Sequence, residues 1–306
     1  MGIYLHIGYP KTATSWFQEK FFPLVQNIRS IDRKTIQRFF LEPGAFEFDE
    51  IITKKYFSFD VDENILFSEE LLLGRLRPGG VKGFVTKEVA NRLKAVFPEA
   101  TIILFIRNQI DILASAYLQY VRSGGNYNIQ KFLFPVDFEI GRSNKLVLLG
   151  LDYFLYHYVI SYYKQLFGKE HVHVYLYEEF RDNPASFVKV FAQRYNFVYD
   201  TQKVDYTLVN SGYRKLLVQS RRFSSIFSRC GPLNKYYILH IPSFDYISRC
   251  FHHIANQYPV FGSRVDSKKL IGKHNLERVK NFYMDSNKKL IDEHGLEQIK
   301  KYNYPL

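Results

Sequence analysis

The stretch that most constrains this chain lies at its start, Ile3 to Phe17, and reads I-Y-L-H-I-G-Y-P-K-T-A-T-S-W-F. Ile3, Leu5 and Ile7 alternate as on a buried strand, Gly8-Tyr9-Pro10 breaks the pattern, and Lys11 to Ser15 opens an amphipathic helix. A strand, a tight turn and a helix start make an anion site: free backbone N–H groups, the positive end of the helix dipole, Lys11 and the hydroxyls of Thr12, Thr14 and Ser15 converge there. A Walker A loop would place its lysine late and after a second glycine, G-x-x-x-x-G-K-[ST]. Here the lysine follows Gly8 by three residues, a poor fit to an ATP or GTP loop.

The rest of the chain alternates strands with helices. Ile28 to Ile31 and Asn64 to Phe67 have strand length, and Thr101 to Ile106 (T-I-I-L-F-I) is apolar on both faces, as a central parallel strand is. Helical spacing runs through Lys87 to Phe97, Asp111 to Val121, Tyr153 to Phe167 and Asn183 to Phe197, while His171 to Tyr177 alternates like a strand. Helix after strand, repeated, reads as a doubly wound α/β sheet, whose ligands bind beyond the carboxyl ends of the strands. The polar, aromatic segment Arg33 to Asp60 has no clear period and reads as a loop or helical insertion. His171 and His173, two apart on a strand, read as exposed residues rather than metal ligands.

Arg107 ends the apolar strand, and R-N-Q-I-D-I-L-A-S-A-Y follows, with Asp111 and Ser115 one turn apart on one helical face. The first loop resembles the 5′-phosphosulfate loop of the sulfotransferases, P-K-[ST]-G-T-[TS]-W. The second run resembles that family's R-N-P-x-D-x-x-x-S-x-Y, whose arginine and serine bind the 3′-phosphate of 3′-phosphoadenosine 5′-phosphosulfate (PAPS). The chain departs from these patterns at Ala13, where the family has glycine, and at Gln109, where it has proline. The segment from Glu178 through R-D-N-P resembles the family's Y-E-D-L plus D-P run, and the terminal helix with its Y-P ending resembles bacterial members.

The resemblance implies a single P-loop-like domain over 1–306, a three-layer α/β/α with a central, mostly parallel sheet. It implies PAPS as co-substrate, no metal, and a sulfuryl group moved to a hydroxyl acceptor. Carried onto this sequence, Lys11 acts on the leaving group. Thr12, Ala13, Thr14 and Ser15 hold the 5′-phosphate, Arg107 and Ser115 the 3′-phosphate, and Trp16 either packs on adenine or is a core aromatic. Arg214 and Lys215 are further nucleotide candidates, although the family's R-K-G glycine spacing is absent. The family's base is a histidine or a glutamate, and the positions here offer Glu69 first, Glu70 second and Glu42 in F-L-E-P-G third.

Net charge, +12 over 306 residues, asks for an anionic partner, and about +10 of it lies after Asn210. Segments 33–60 and 210–273 are not needed by the nucleotide motifs, so they are expected on the acceptor side. Aromatic and cationic side chains there suit a glycan or glycolipid hydroxyl, or contact with an anionic membrane. Competing readings are a kinase-like phosphotransferase on the same fold and a non-catalytic binder of polyanions or nucleic acid. The first lacks its Walker lysine and the second any nucleic-acid motif. A strand beginning at residue 3 leaves no room for a signal peptide and no apolar run has spanning length, so a cytoplasmic location is expected, peripheral to the membrane at most. The two cysteines, Cys230 and Cys250, lie in no metal-binding pattern, and a disulfide between them is not expected.

Overall fold

A computed structural model describes residues 2–59, 63–74, 84–138, 149–207, 212–231 and 235–306. Five strands, β1 (Gly2–His6), β2 (Arg29–Ile31), β3 (Asn64–Ser68), β4 (Thr101–Ile106) and β5 (Val172–Leu176), form one sheet in the order β2-β3-β1-β4-β5. Every pairing is parallel, with Leu5 opposite Phe67 on one side and Ile102 on the other. The chain leaves β1 for the far edge, returns through β3 and crosses β1 to reach β4. Thus the crevice beyond the carboxyl ends of β1 and β4 is where strand order reverses, the usual ligand position in such sheets.

Thirteen α-helices are described: α1 (Thr14–Trp16), α2 (Arg33–Phe40), α3 (Glu50–Tyr56), α4 (Phe84–Val96), α5 (Gln109–Arg122), α6 (Ile129–Leu133), α7 (Tyr156–Phe167), α8 (Tyr177–Asp182), α9 (Pro184–Arg194), α10 (Lys215–Ser224), α11 (Phe244–Ala255), α12 (Ser267–Ile271) and α13 (Lys273–Asp292). Period-two alternation sorts the strands between two cores. Leu5, Ile65, Phe67, Ile102, Leu104 and Ile106 face a core completed by α2, α4, α5, α7 and α13. Leu66, Ile103 and Phe105 face the other, filled by Trp16, Phe17 and Phe21 with Phe180, Val188 and Phe191 from α8 and α9. The expected three-layer α/β/α is therefore present, and its sheet is wholly parallel.

Two elements differ from the sequence reading. The first helix begins at Thr14 rather than near Lys11, because Lys11 and Ala13 both adopt left-handed backbone (φ 73° and 69°) that no helix accommodates. After Trp16 it widens into a π-helical turn over Phe17–Phe21, which brings both aromatic rings of that run into the second core. Segment 33–60 holds two helices, α2 and α3, joined by turns and irregular backbone, with Asp32 and Asp49 capping them by accepting from Thr35 and Ile52 N–H. Ile36 and Phe40 of α2 lie in the first core, so this segment belongs to the helical layer over β3 as well as to the surface.

Candidate anion-binding site

Beyond β1 the chain keeps its ladder with β4: Ile7 N–H donates to Ile103 O and Tyr9 N–H to Phe105 O, each at 3.0 Å. That pins the start of the loop, and the Thr12 hydroxyl, donating to Tyr9 O, pins its turn. Between them the two left-handed residues alternate with their neighbours, which turns successive amides toward one concavity as in other anion nests. Because the Thr12 hydroxyl is used inside the loop, what Thr12 has left for an anion is its amide. By contrast the Thr14 hydroxyl is buried without a partner, while Ser15 is half-buried at the opening.

Arg107, at the end of β4, reaches this loop directly. Its Nη1 donates to Lys11 O at 3.0 Å, its guanidinium lies 4.6 Å from the centre of the Tyr177 ring, and its Nε is buried without a partner. The two sequence motifs, 96 residues apart, therefore meet at the switch point. Tyr156 O–H donates to Arg107 O at 2.7 Å and fixes the strand end. Ser115 lies half-buried two turns along α5.

Asn108 serves to build the site. Its side-chain oxygen caps α5 by accepting from Ile110 N–H, and its amide nitrogen donates to Tyr302 O and Asn303 O, both at 2.9 Å. Its backbone N–H donates to Glu178 Oε1 at 2.8 Å, and Tyr304 O–H donates to the other oxygen at 3.0 Å. Burial pushes the Glu178 carboxyl up, opposed by those donors. Gln109, in place of proline, exchanges hydrogen bonds with Asn287 of α13, which in turn donates to Pro305 O. The C-terminal tail is thus sewn to the second motif.

The three base candidates fall in different surroundings. Glu69 is fully buried, and its carboxylate accepts from Arg33 Nε and Nη2 (2.9 Å each), Gln37 Nε2 (2.6 Å) and Leu71 N–H (3.0 Å). Glu70 shares Arg33 through Oε1 at 3.2 Å, while its Oε2 is buried and unpartnered. Burial raises the pKa of Tyr153, and the Glu70 charge adds to it in the same direction; the Tyr153 ring packs edge-on against Tyr9 of the loop at 5.2 Å. Glu42 is exposed just past α2.

Trp16 is buried in the second core, its indole N–H donating to Asp205 O at 3.0 Å and its ring parallel to Tyr206. Arg214 is occupied in holding 256–262, donating to Asn256 O and Gly262 O. Lys215 lines a cleft of about 330 Å³ between α5, α6, α10 and α12, together with Arg222, Lys269, Asp266, Tyr117 and Val218. His173 bonds Tyr195 O–H and Glu170 O. A separate group, His157, Glu293 and His294, brings two imidazoles and a carboxylate within 4.8 Å, but the Lys164 ammonium occupies His294 Nδ1 at 3.2 Å and opposes a cation there.

Sequence reasoning missed the residues that hold the site together: Arg33 and Gln37 on Glu69, Tyr177 under Arg107, Tyr156 on its carbonyl, and His6. His6 is fully buried on β1 beneath the loop, shares a 2.7 Å hydrogen bond with Ser68 on β3, and has its pKa lowered to about 3 by burial. The alternation of β1 sets Ile3, Leu5 and Ile7 on one face and His6 on the other, and the burial of that second face comes from the aromatic side chains of Phe17, Phe22 and Phe105 around the ring. Nothing in the local sequence of Arg33 announced its partner 36 residues away.

No protein-family model matches the chain, and no curated protein matches it. Among solved structures, the crystal structure of a sulfotransferase from Alicyclobacillus acidocaldarius is similar over 69% of this chain and 87% of that one, with a TM-score of 0.49 and 21% identity.

Proposed function

We propose that the chain transfers a sulfuryl group from PAPS to a hydroxyl acceptor on a glycan or glycolipid. The observation that carries this reading is the contact of Arg107 with the Lys11 carbonyl, which puts the donors of both motifs in one crevice. Two of those donors, Thr14 Oγ1 and Arg107 Nε, are buried with no partner of their own. Orphaned buried donors cost stability, so a site that keeps two fits an oxyanion ligand that satisfies them.

PAPS would supply the activated sulfuryl group: an acceptor O–S bond forms, the S–O bond to the 5′-phosphate breaks, and adenosine 3′,5′-bisphosphate leaves. In this reading the amides from Lys11 to Ser15, with the Thr14 and Ser15 hydroxyls, hold the 5′-phosphosulfate. Arg107 and Ser115 take the 3′-phosphate, for which a planar guanidinium is suited. The Lys11 ammonium offsets the negative charge that grows on the leaving phosphate. Glu70 takes the acceptor's proton through Oε2, since Glu69 has its lone pairs filled. The cationic cleft at Lys215, Arg222 and Lys269 suits an acidic acceptor.

Thermal stability with added nucleotides tests the reading. PAPS and adenosine 3′,5′-bisphosphate should raise the melting temperature well above what ATP or AMP does at equal concentration, because they fill both phosphate positions. Equal protection by AMP would remove the case for a 3′-phosphate position. Label from [35S]PAPS appearing only in small phenols, with none in glycan or lipid fractions, would remove the glycan acceptor alone.

A further inference from the structure

Helix α11 is amphipathic with its polarity reversed. Its buried face carries Asp245, Ser248 and His252, with Ala255 closing the stripe at helical spacing. These polar groups are satisfied from α10: Arg221 donates to Asp245 Oδ1 at 2.7 Å and to Ser248 Oγ at 2.8 Å, and Ser220 Oγ bonds His252 Nε2 at 3.0 Å. The opposite face, spaced i, i+3, i+4, i+7, presents Ile247, Cys250, Phe251 and Ile254, and the three apolar side chains are 62%, 52% and 56% exposed. The preceding segment adds Ile238 and Leu239, 81% and 56% exposed. A buried polar ladder fixes which way the helix faces, so the outward apolar stripe cannot be relieved by rolling the helix over.

Charge around the stripe is of one sign. Between Gly212 and Lys273 there are eleven Lys and Arg against two Asp. Asp245 is buried between Arg221 and Arg249, which leaves Asp266, the exposed cap of α12, as the one carboxylate of that stretch at the surface. A second copy of this chain would bring the same positive charge against it, whereas an anionic surface with an apolar interior matches both features. We propose that α11 and the segment from Tyr236 to Ile241 seat this protein on an anionic lipid bilayer, with Ile247, Phe251 and Ile254 in the acyl boundary and the surrounding cations at the headgroups. This docking does not depend on which group the crevice transfers, and a glycolipid acceptor would be one reason for it.

The test uses the full chain and vesicles of phosphatidylcholine alone or mixed with phosphatidylglycerol. The protein is expected to sediment with the mixed vesicles and not with the neutral ones, and to be released as salt rises. Ile247→Glu with Phe251→Glu should weaken mixed-vesicle binding roughly ten-fold or more while leaving the melting temperature and nucleotide protection unchanged, since both side chains face out. A polarity-sensitive dye on Cys250, in a Cys230→Ser background, should shift to the blue on vesicle addition and so reads the unaltered stripe directly. Absence of vesicle binding, binding unchanged in the double variant, or a dye unmoved by vesicles overturns the proposal. So does light scattering that shows a dimer in the wild type and a monomer in the double variant, because a second copy would then cover the stripe.

Discussion

Exchanging either of two adjacent glutamates for glutamine separates the clamp from the base. In Glu69→Gln the side chain keeps its length, but one carboxylate oxygen becomes an NH₂ group. Turned one way, that group meets Arg33 Nε and Gln37 Nε2; turned the other, it meets Arg33 Nη2 and the Leu71 N–H. Either way two accepted hydrogen bonds become donor–donor contacts in a site with no exposure. Bonds to a charged acceptor contribute about 1.5 to 3 kcal/mol each. Because the Arg33 side chain is 45% exposed, water recovers part of that loss, and we expect a cost of roughly 2 to 4 kcal/mol. With an unfolding entropy near ~2.1 cal/mol/K per residue, a chain of this length should lose roughly 3 to 6 °C in melting temperature. Turnover measured on the folded fraction should fall only modestly. Glu70→Gln forfeits at most the 3.2 Å bond to Arg33, so its melting temperature should stay within about 2 °C. Its turnover should drop by about 10² to 10⁴, the usual contribution of a positioned base. Thermal melts by circular dichroism and single-turnover transfer from labelled PAPS read the two quantities separately. Glu69→Gln melting with the wild type yet abolishing turnover would refute the division of roles.

Lys11→Ala should lower turnover by orders of magnitude with little change in nucleotide affinity, whereas Arg107→Ala and Ser115→Ala should mainly weaken affinity; kcat and Kd measured for each variant decide this, and affinity loss alone in Lys11→Ala would reverse the assignment. Ala13→Gly should stabilise the protein by about 0.5 to 1 kcal/mol, the left-handed strain removed less the extra freedom of glycine in the unfolded chain, read as a higher urea midpoint. Burial lowers the His6 pKa to about 3, so folding favours the neutral ring, and its contribution is complete above the unfolded value near 6.5 and lost as pH falls toward 3. His157, His173, His252 and His294 are shifted the same way, so the overall slope is shared; the wild type minus His6→Gln should isolate about 1.4 kcal/mol per pH unit between pH 6 and 4 by urea unfolding, and equal slopes would exclude His6 as the cause.

Local periodicity made the architecture legible. T-I-I-L-F-I on β4 has no polar face, and in the structure its odd and even positions feed two different cores. The loop after β1 was legible as an anion site because Gly8, Lys11 and the hydroxyls are contiguous. What the pattern could not carry was the backbone sign of Lys11 and Ala13: neither residue type favours positive φ, and the tertiary pinning of Tyr9 and Thr12 imposes it. The family's glycine at the Ala13 position is what such a turn asks for, so the departure moves a conformational cost into this chain without abolishing the turn.

Side-chain partnerships were the least legible, and their physics says why. Glu69 and Glu70 are adjacent and chemically alike, yet one donor, Arg33 at the start of α2, makes their surroundings opposite. Its fork lies across both oxygens of Glu69 and touches a single oxygen of Glu70. A carboxylate with all four acceptor positions filled is held in place, which suits it to orienting a neighbour. The carboxylate beside it, tethered through one oxygen with the other buried and open, keeps a lone pair for a proton. Arg33 thereby couples helix α2 to the end of β3. A ligand that displaced α2 would have to break the buried clamp before it could reach the candidate base. Access to Glu70 is therefore expected along the loop and Tyr153 side, where Tyr9 packs, rather than through α2.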